Sequence, residues 1–366
     1  MTAQPIRKPV VLAGVATAIL LAASHAGATS INQNVAWTID RPDSTTQFRI
    51  VAYGDSIFAG YKGAISEVAI WAAPSVDGDY ASHLWGTDVK IFRRTKSGAL
   101  ASEIYNDKIV GEQKYMETAD TRVVAIEMCG NDGLRARRNL DDQNGTCDYG
   151  PLDAALADCT QYQQQAMVFI NANANPATEL KVISNLYYPG YDADNVFTVC
   201  TDQATGQPVN KQDIFLPTLL RMNWRACNFA HQYGFQCADS FAQFMGADYD
   251  SNGDGRIDSR ALRYRQGESE DAYVTRLGTT LRSTIRDPNT HFVSAQRSYD
   301  YILSDDVHPT YQGGTVNLGL LGGSGKGTSG PRFSDDKYVR GKNRIWRKFG
   351  HERMGWAISK FNPPTP

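Results

Sequence analysis

The apolar positions of this chain gather into five short runs, and stretches with helical spacing lie between most of them. Residues 48–53 (FRIVAY), 89–93 (VKIFR), 122–128 (RVVAIEM), 180–187 (LKVISNLY) and 235–239 (FQCAD) read as buried strands. Residues 99–110 place Leu100, Ile104 and Ile109 on one helical face, and residues 152–172 read as a long helix stopped at 173–176. Residues 214–233 read as a further helix, with Gly234 as its C-terminal cap. Strand and helix alternate, which predicts an α/β fold: a five-stranded, mainly parallel sheet with helices on both faces. Outside this frame, 29–46 reads as polar surface chain, 59–80 has no clear period, and 192–211 reads as a loop. Residues 247–299 look inserted, 313–342 hold a flexible Gly-rich loop, and 343–360 form a closing helix. There is no internal repeat.

The first 28 residues stand apart. Arg7 and Lys8 precede an apolar run of about 15 residues, and Ala26-Gly27-Ala28 follows it. That is the build of a secretory signal peptide, and the run is shorter than the roughly 20 residues a membrane span needs. The expectation is an exported protein, residues 29–366, with no transmembrane span. The formal charge is −2, and removing two cations and no acid takes it to −4. A nearly neutral, mildly acidic chain gives no footing for nucleic acid. Six cysteines remain, at 129, 147, 159, 200, 227 and 237. Export makes up to three disulfides the expectation. Cys227 with Cys237, or Cys147 with Cys159, would close short loops, and Cys129 is the candidate free thiol.

Candidate chemistry begins where the first strand ends. Gly54 and Asp55 suit a turn, so Ser56 is delivered to the carboxyl end of a strand, where open α/β sheets bind ligands. A serine hydroxyl needs a base to attack a carbonyl, and the base needs an orienting group. His308, in Ser304-Asp305-Asp306-Val307-His308-Pro309, has a carboxylate three residues before it. Such a carboxylate can hold Nδ1–H and leave Nε2 free as the base. Asp306 is the rival for that role.

Four blocks stand in order: Gly54-Asp55-Ser56, Ser97-Gly98, Gly130-Asn131-Asp132 and Asp305-x-x-His308-Pro309. In this the chain resembles the SGNH, or GDSL, serine hydrolases, over roughly residues 48–314 without the insert. The resemblance implies a three-layer α/β/α, flavodoxin-like fold and an ester-cleaving acyl-enzyme mechanism with no catalytic cofactor. It implies Ser56 as nucleophile, His308 as general base and Asp305 as its orienting acid. The oxyanion would be held by the N–H groups of Ser56 and Gly98 and by the Asn131 amide. Two departures are visible: Cys129 stands where the family prefers Gly, and Phe58 occupies the second Gly of the α/β-hydrolase elbow. Ile57, Phe58 and Tyr61 suggest apolar contact with an acyl group.

A second motif lies in the insert. Asp250, Asn252, Asp254, Arg256 and Asp258, with Gly255 at the turn, resemble an EF-hand or dockerin calcium loop through its ninth position. The twelfth position is Ala261, so the bidentate carboxylate is missing. The resemblance implies a structural calcium ion; an Asx-rich turn without an ion is the competing reading. Three functions follow from these residues: a secreted esterase acting on a lipid or acylated carbohydrate, an acyltransferase using the same groups, and a calcium-stabilised extracellular binding protein on a degenerate hydrolase scaffold. The oligomeric state is not legible.

Overall fold

The computed structural model describes residues 30–189, 191, 195–245, 259–283, 301–303, 305, 307–311, 313–319, 322–326 and 349–364. The expected signal peptide lies outside them. Eleven strands are found among these residues: β1 (Ile31–Ile39), β2 (Gln47–Gly54), β3 (Glu67–Ala69), β4 (Asp88–Ser97), β5 (Thr121–Ile126), β6 (Leu180–Ser184), β7 (Phe197–Thr201), β8 (Pro208–Asn210), β9 (Gln236–Ala238), β10 (Thr315–Asn317) and β11 (Gly323–Lys326). Seven form the central sheet, in the order β11-β1-β4-β2-β5-β6-β9. The five expected strands are its parallel part, and their order is 2-1-3-4-5, the flavodoxin-like arrangement. β2, β5 and β6 are buried on both sides over most of their length, which is why they read as apolar runs, whereas β4 and the edge strand β9 are only partly covered. In β2, Ile50 and Ala52 face one core while Val51 and Tyr53 face the other; in β5, Val123 and Ala125 oppose Val124 and Ile126.

The sheet has seven strands rather than five, and both additions come from segments that looked irregular. β1 arises in the supposed surface stretch 29–46 and runs antiparallel to β4, Ile31 opposite Ser97. Val35, Trp37 and Ile39 alternate inward and are buried. Each such side chain contributes roughly 1.5–3 kcal/mol, enough to seat an outer strand despite its polar neighbours. β11 comes from the Gly-rich stretch and pairs parallel to β1. Other segments gained structure as well: β7 and β8 form a hairpin within 192–211, and β10 pairs with β3.

The helices are α1 (Ser56–Ala59), α2 (Ala73–Trp85), α3 (Ala101–Glu103), α4 (Gly130–Asp141), α5 (Gly150–Asn173), α6 (Lys211–Gln232), α7 (Ser240–Met245), α8 (Glu270–Ser283) and α9 (Gly350–Ser359). α2 and α9 pack together on one side of the sheet, α5 and α6 on the other. α3 runs on as one π-helical stretch, Ile104–Val110. From the inserted segment, α8 lies on α6, where Arg221 and Arg225 both pair with Glu270, at 2.8 and 3.0 Å. No described helix is long and apolar enough to cross a membrane. Three disulfides join Cys129 to Cys159, Cys147 to Cys200, and Cys227 to Cys237. The pair Cys147–Cys159 is therefore not formed, and Cys129 is not free.

Where α9 meets α2 a histidine is sealed in. His351 is fully buried, and its Nδ1 accepts the N–H of Ala73 at 3.3 Å. Burial first, then the charges of Arg93 and His308, lower its pKa to about 3. An unfolded histidine titrates near 6.5. Below that pH the unfolded chain binds a proton that the fold refuses, so stability falls on acidification by up to roughly 1.4 kcal/mol per pH unit. His351→Gln keeps an acceptor for Ala73 and does not titrate. Denaturant melts at pH 7 and pH 5 should show the wild type losing roughly 2 kcal/mol more than this variant; equal losses would rule out a buried neutral imidazole.

Candidate active site

β2 ends at Gly54, pressed against the next strand's exit. A Cβ at position 54 would lie 2.9 Å from the Cβ of Phe58 and 3.1 Å from a Glu127 carboxyl oxygen, so only glycine fits. Asp55 then caps α1, its Oδ1 accepting the Ile57 N–H at 2.8 Å. Ser56 is the first residue of that helix, so its own N–H has no acceptor within it. The buried Arg93 of β4 steadies the far end of α1 by donating to the carbonyls of Ala59 (3.1 Å) and Ala69 (2.7 Å).

His308 reaches the same spot from 252 residues away, and the Ser56 hydroxyl lies 2.8 Å from its Nε2. On the other side of the ring, Nδ1 donates to Asp305 Oδ2 at 2.6 Å. Asp305 Oδ1 accepts the N–H groups of Val307 (3.1 Å) and His308 (2.9 Å). One carboxylate thus shapes the turn and orients the imidazole. Burial would raise the Asp305 pKa, but the bonds from His308 and the backbone outweigh it and hold the carboxyl below its usual range. Two tyrosines flank the loop: Tyr187 donates from its hydroxyl to the Val307 carbonyl, and the Tyr61 ring lies 4.5 Å from the imidazole. The rival acid, Asp306, lies outside the described residues.

Asn131 ties the remaining blocks together. It is the second residue of α4, and its Nδ2 donates to Asp55 Oδ2 (2.8 Å) and to the Ala99 carbonyl (3.1 Å). Ala99 follows Gly98, whose φ of +77° suits glycine and turns the chain away from β4. Asn131 is therefore bonded to the neighbours of both Ser56 and Gly98. Cys129, directly before the Gly130-Asn131-Asp132 block, adopts a left-handed φ of +84°. This is a conformation that costs a non-glycine residue energy, and the bond to Cys159 on α5 anchors it.

Two carboxyl groups here were given no role from the sequence: Asp132, although it stands in the third block, and Glu127. Asp132 Oδ2 accepts the Ala101 N–H at 2.9 Å, and burial pushes its pKa up to about 6. Glu127 is buried beside Asp55, and Asp55 N–H points at its Oε2 from 3.4 Å. The signal was present: a glutamate inside an apolar strand run is an anomaly, since an unpaired buried carboxylate is costly.

A mainly apolar pocket adjoins the site. Its walls include Ile57, Gly130 and Val307, each the sequence neighbour of Ser56, Asn131 or His308. It extends along one face of α6 past Phe215, Leu219 and Met222. Of the three apolar residues expected to meet an acyl group, Ile57 lines this pocket, Tyr61 lies against His308, and Phe58 is buried in the core. The five residues of the calcium loop, Asp250, Asn252, Asp254, Arg256 and Asp258, lie outside the described residues.

No family model matches the chain, and no curated protein matches its sequence. Solved structures with a similar fold include a lipase from a goat rumen metagenome, 18% identical, covering 64% of this chain and 97% of its own, with a TM-score of 0.41. A phospholipase A1 from Streptomyces albidoflavus NA297 is 17% identical over 54% of this chain and 82% of its own, with a TM-score of 0.39. A catalytic mutant of an acetylxylan esterase from Geobacillus stearothermophilus is 12% identical over 55% and 78%, with a TM-score of 0.36. At these values the likeness reaches no further than the α/β scaffold.

Proposed function

We propose that this protein is a secreted serine hydrolase of SGNH type that cleaves carboxylic esters with an apolar acyl group. The observation that carries this reading is the hydrogen-bonded chain Ser56–His308–Asp305, 2.8 and 2.6 Å link to link. His308 Nε2 takes the Ser56 proton as Oγ attacks the ester carbonyl. The tetrahedral intermediate collapses, His308 returns the proton to the departing alkoxide, and an acyl-Ser56 remains. Water, deprotonated by the same Nε2, attacks the acyl-enzyme, and the proton then restores the Ser56 hydroxyl as the acid leaves. Asp305 stays ionised throughout and keeps the imidazole in the required tautomer.

The oxyanion would be met by the N–H groups of Ser56 and Gly98 and by Asn131. Both amide hydrogens of Asn131 are engaged in the free protein. The bond to a neutral carbonyl, at 3.1 Å, is the one to yield, while the bond to the Asp55 carboxylate holds the amide in place. The pocket along α6 supports an alkyl acyl group over an acetyl group, since an acetyl would leave most of its apolar wall uncovered. Three disulfides suit an oxidising compartment, in keeping with export.

Ser56→Ala should abolish both turnover of p-nitrophenyl esters and labelling by a fluorophosphonate; labelling that survives the substitution would overturn the assignment. Asn131→Ala should lower kcat by about 10²–10³ and Asp305→Asn by about 10⁴, both in folded protein. Across a p-nitrophenyl ester series, kcat/KM should rise from acetate to medium-length linear acyl chains. Leu219→Trp should move that optimum to shorter chains by filling the pocket; an optimum at acetate in both proteins would remove the acyl-pocket reading. Calcium enters only as a stabiliser: EGTA should lower the melting temperature and added calcium restore it, and an unmoved midpoint would delete the ion.

A further inference from the structure

Glu127 directly follows β5 and is 1% exposed. Its N–H donates to the Tyr53 carbonyl at 3.0 Å, carrying the β2–β5 pairing one step past the strand. That register sets its side chain against Gly54 and Asp55, and the Asp55 N–H points at its Oε2 from 3.4 Å. The two carboxyl groups flank Gly130, where a Cβ would lie 3.1 Å from Asp55 Oδ2 and 3.8 Å from Glu127 Oε1. Two buried carboxyls in contact cannot both be ionised. Burial, then the charge of Asp55, push Glu127 well above the usual range, and Asp132 adds to this from α4. Burial raises Asp55 as well, but the bonds from Ile57, Glu127 and Asn131 and the charge of His308 pull it back toward its charged form, so it rises less than Glu127. Tyr187, the other titratable neighbour, is kept protonated by burial. Glu127 is therefore the protonated member and Asp55 the anion. Its second oxygen, Oε1, has no hydrogen-bond partner among the described residues.

We propose that Glu127 is a positioning residue for the ester chemistry, donating a hydrogen bond to Asp55 and so fixing the carboxylate that holds both α1 and the Asn131 amide. The inference rests on Ser56 as nucleophile and Asn131 as oxyanion donor. Asp55 grips the Ile57 N–H with Oδ1 and the Asn131 amide with Oδ2, each at 2.8 Å. Without the third donor, Asp55 has two outcomes. It keeps its charge with one partner fewer in a dry site, or it takes up a proton and loses acceptor capacity toward one of its two ligands. In either case the Asn131 amide is held less firmly when the oxyanion forms. Glu127 also borders the acyl pocket, and kinetics tells the two roles apart: acting through Asp55 it changes kcat, whereas a residue that merely walled the pocket would act on KM.

The test is a double-mutant cycle on p-nitrophenyl ester hydrolysis, with thermal melts of every variant. Glu127→Gln keeps a neutral donor, whereas Glu127→Leu keeps bulk without one. Glu127→Leu should lower kcat ten- to a hundredfold at unchanged KM, and Glu127→Gln should stay within about threefold of wild type. In an Asn131→Ala background, where the amide is already gone, Glu127→Leu should cost less than about threefold. Equal losses in both backgrounds, a loss carried by KM, no loss at all, or Glu127→Gln as damaged as Glu127→Leu would each overturn the proposal. If Glu127→Leu does not fold, Glu127→Met takes its place in the cycle. Fluorophosphonate labelling separates the failures: a wild type whose labelling survives Ser56→Ala sinks the nucleophile, while Ser56-dependent labelling with independent losses sinks only the role of Glu127.

Discussion

The site depends on one buried anion, Asp55, placed where the central strand runs out. A carboxylate taken out of water costs several kcal/mol unless hydrogen bonds replace its hydration. Here they come from three directions: a backbone N–H of the helix it caps, the amide of Asn131 on α4, and the carboxyl of Glu127 at the neighbouring strand's exit. Each donor belongs to a different stretch of chain, so satisfying the charge also aligns those stretches. Asn131 then extends the link to a third strand through Ala99. The parallel sheet makes this feasible, because β4, β2 and β5 all end on the same rim.

His308 is held by a different principle. Its loop is short and its carboxylate is local, only three residues away, so the turn and the imidazole orientation have a common cause. What the wider fold adds is placement. Leu303 N–H donates to the His308 carbonyl and Thr310 N–H to the Tyr301 carbonyl, while the first residues of α9 bond to Thr310. The loop is thus anchored to the layer that covers the sheet face opposite α5 and α6.

Much of this was legible in the chain. The central parallel strands β2, β5 and β6 declared themselves because both their faces are largely buried, and Asp305 and His308 because their spacing follows from the chemistry of a turn. β1 was hidden by its asparagines, glutamine and threonine, although Val35, Trp37 and Ile39 keep strict alternation. β11 could not be read locally at all: Gly-Ser-Gly-Lys has no strand preference, and only pairing with β1, almost 300 residues earlier, defines it. Up to three disulfides were expected, and Cys227–Cys237 forms as a short-loop pair. The free Cys129 and the Cys147–Cys159 pairing failed because Cys129 and Cys159 meet through the packing of α4 on α5 rather than through a short loop. Glu127 was overlooked because a strand run was read as uniformly apolar. The double engagement of Asn131 needed coordinates.

The direction of β1 has a practical corollary for handling the protein. Because it lies antiparallel to β4, Ile31 sits opposite Ser97, on the rim that carries Gly98. At the other end of the chain, the Pro363 carbonyl is bound by Trp85, at the close of α2 and just before β4 sets out from the opposite rim. An affinity tag or surface attachment ahead of Ser30 would crowd the mouth of the site. The same tag joined to the chain beyond Pro364 would start from the far side of the sheet and leave that mouth open.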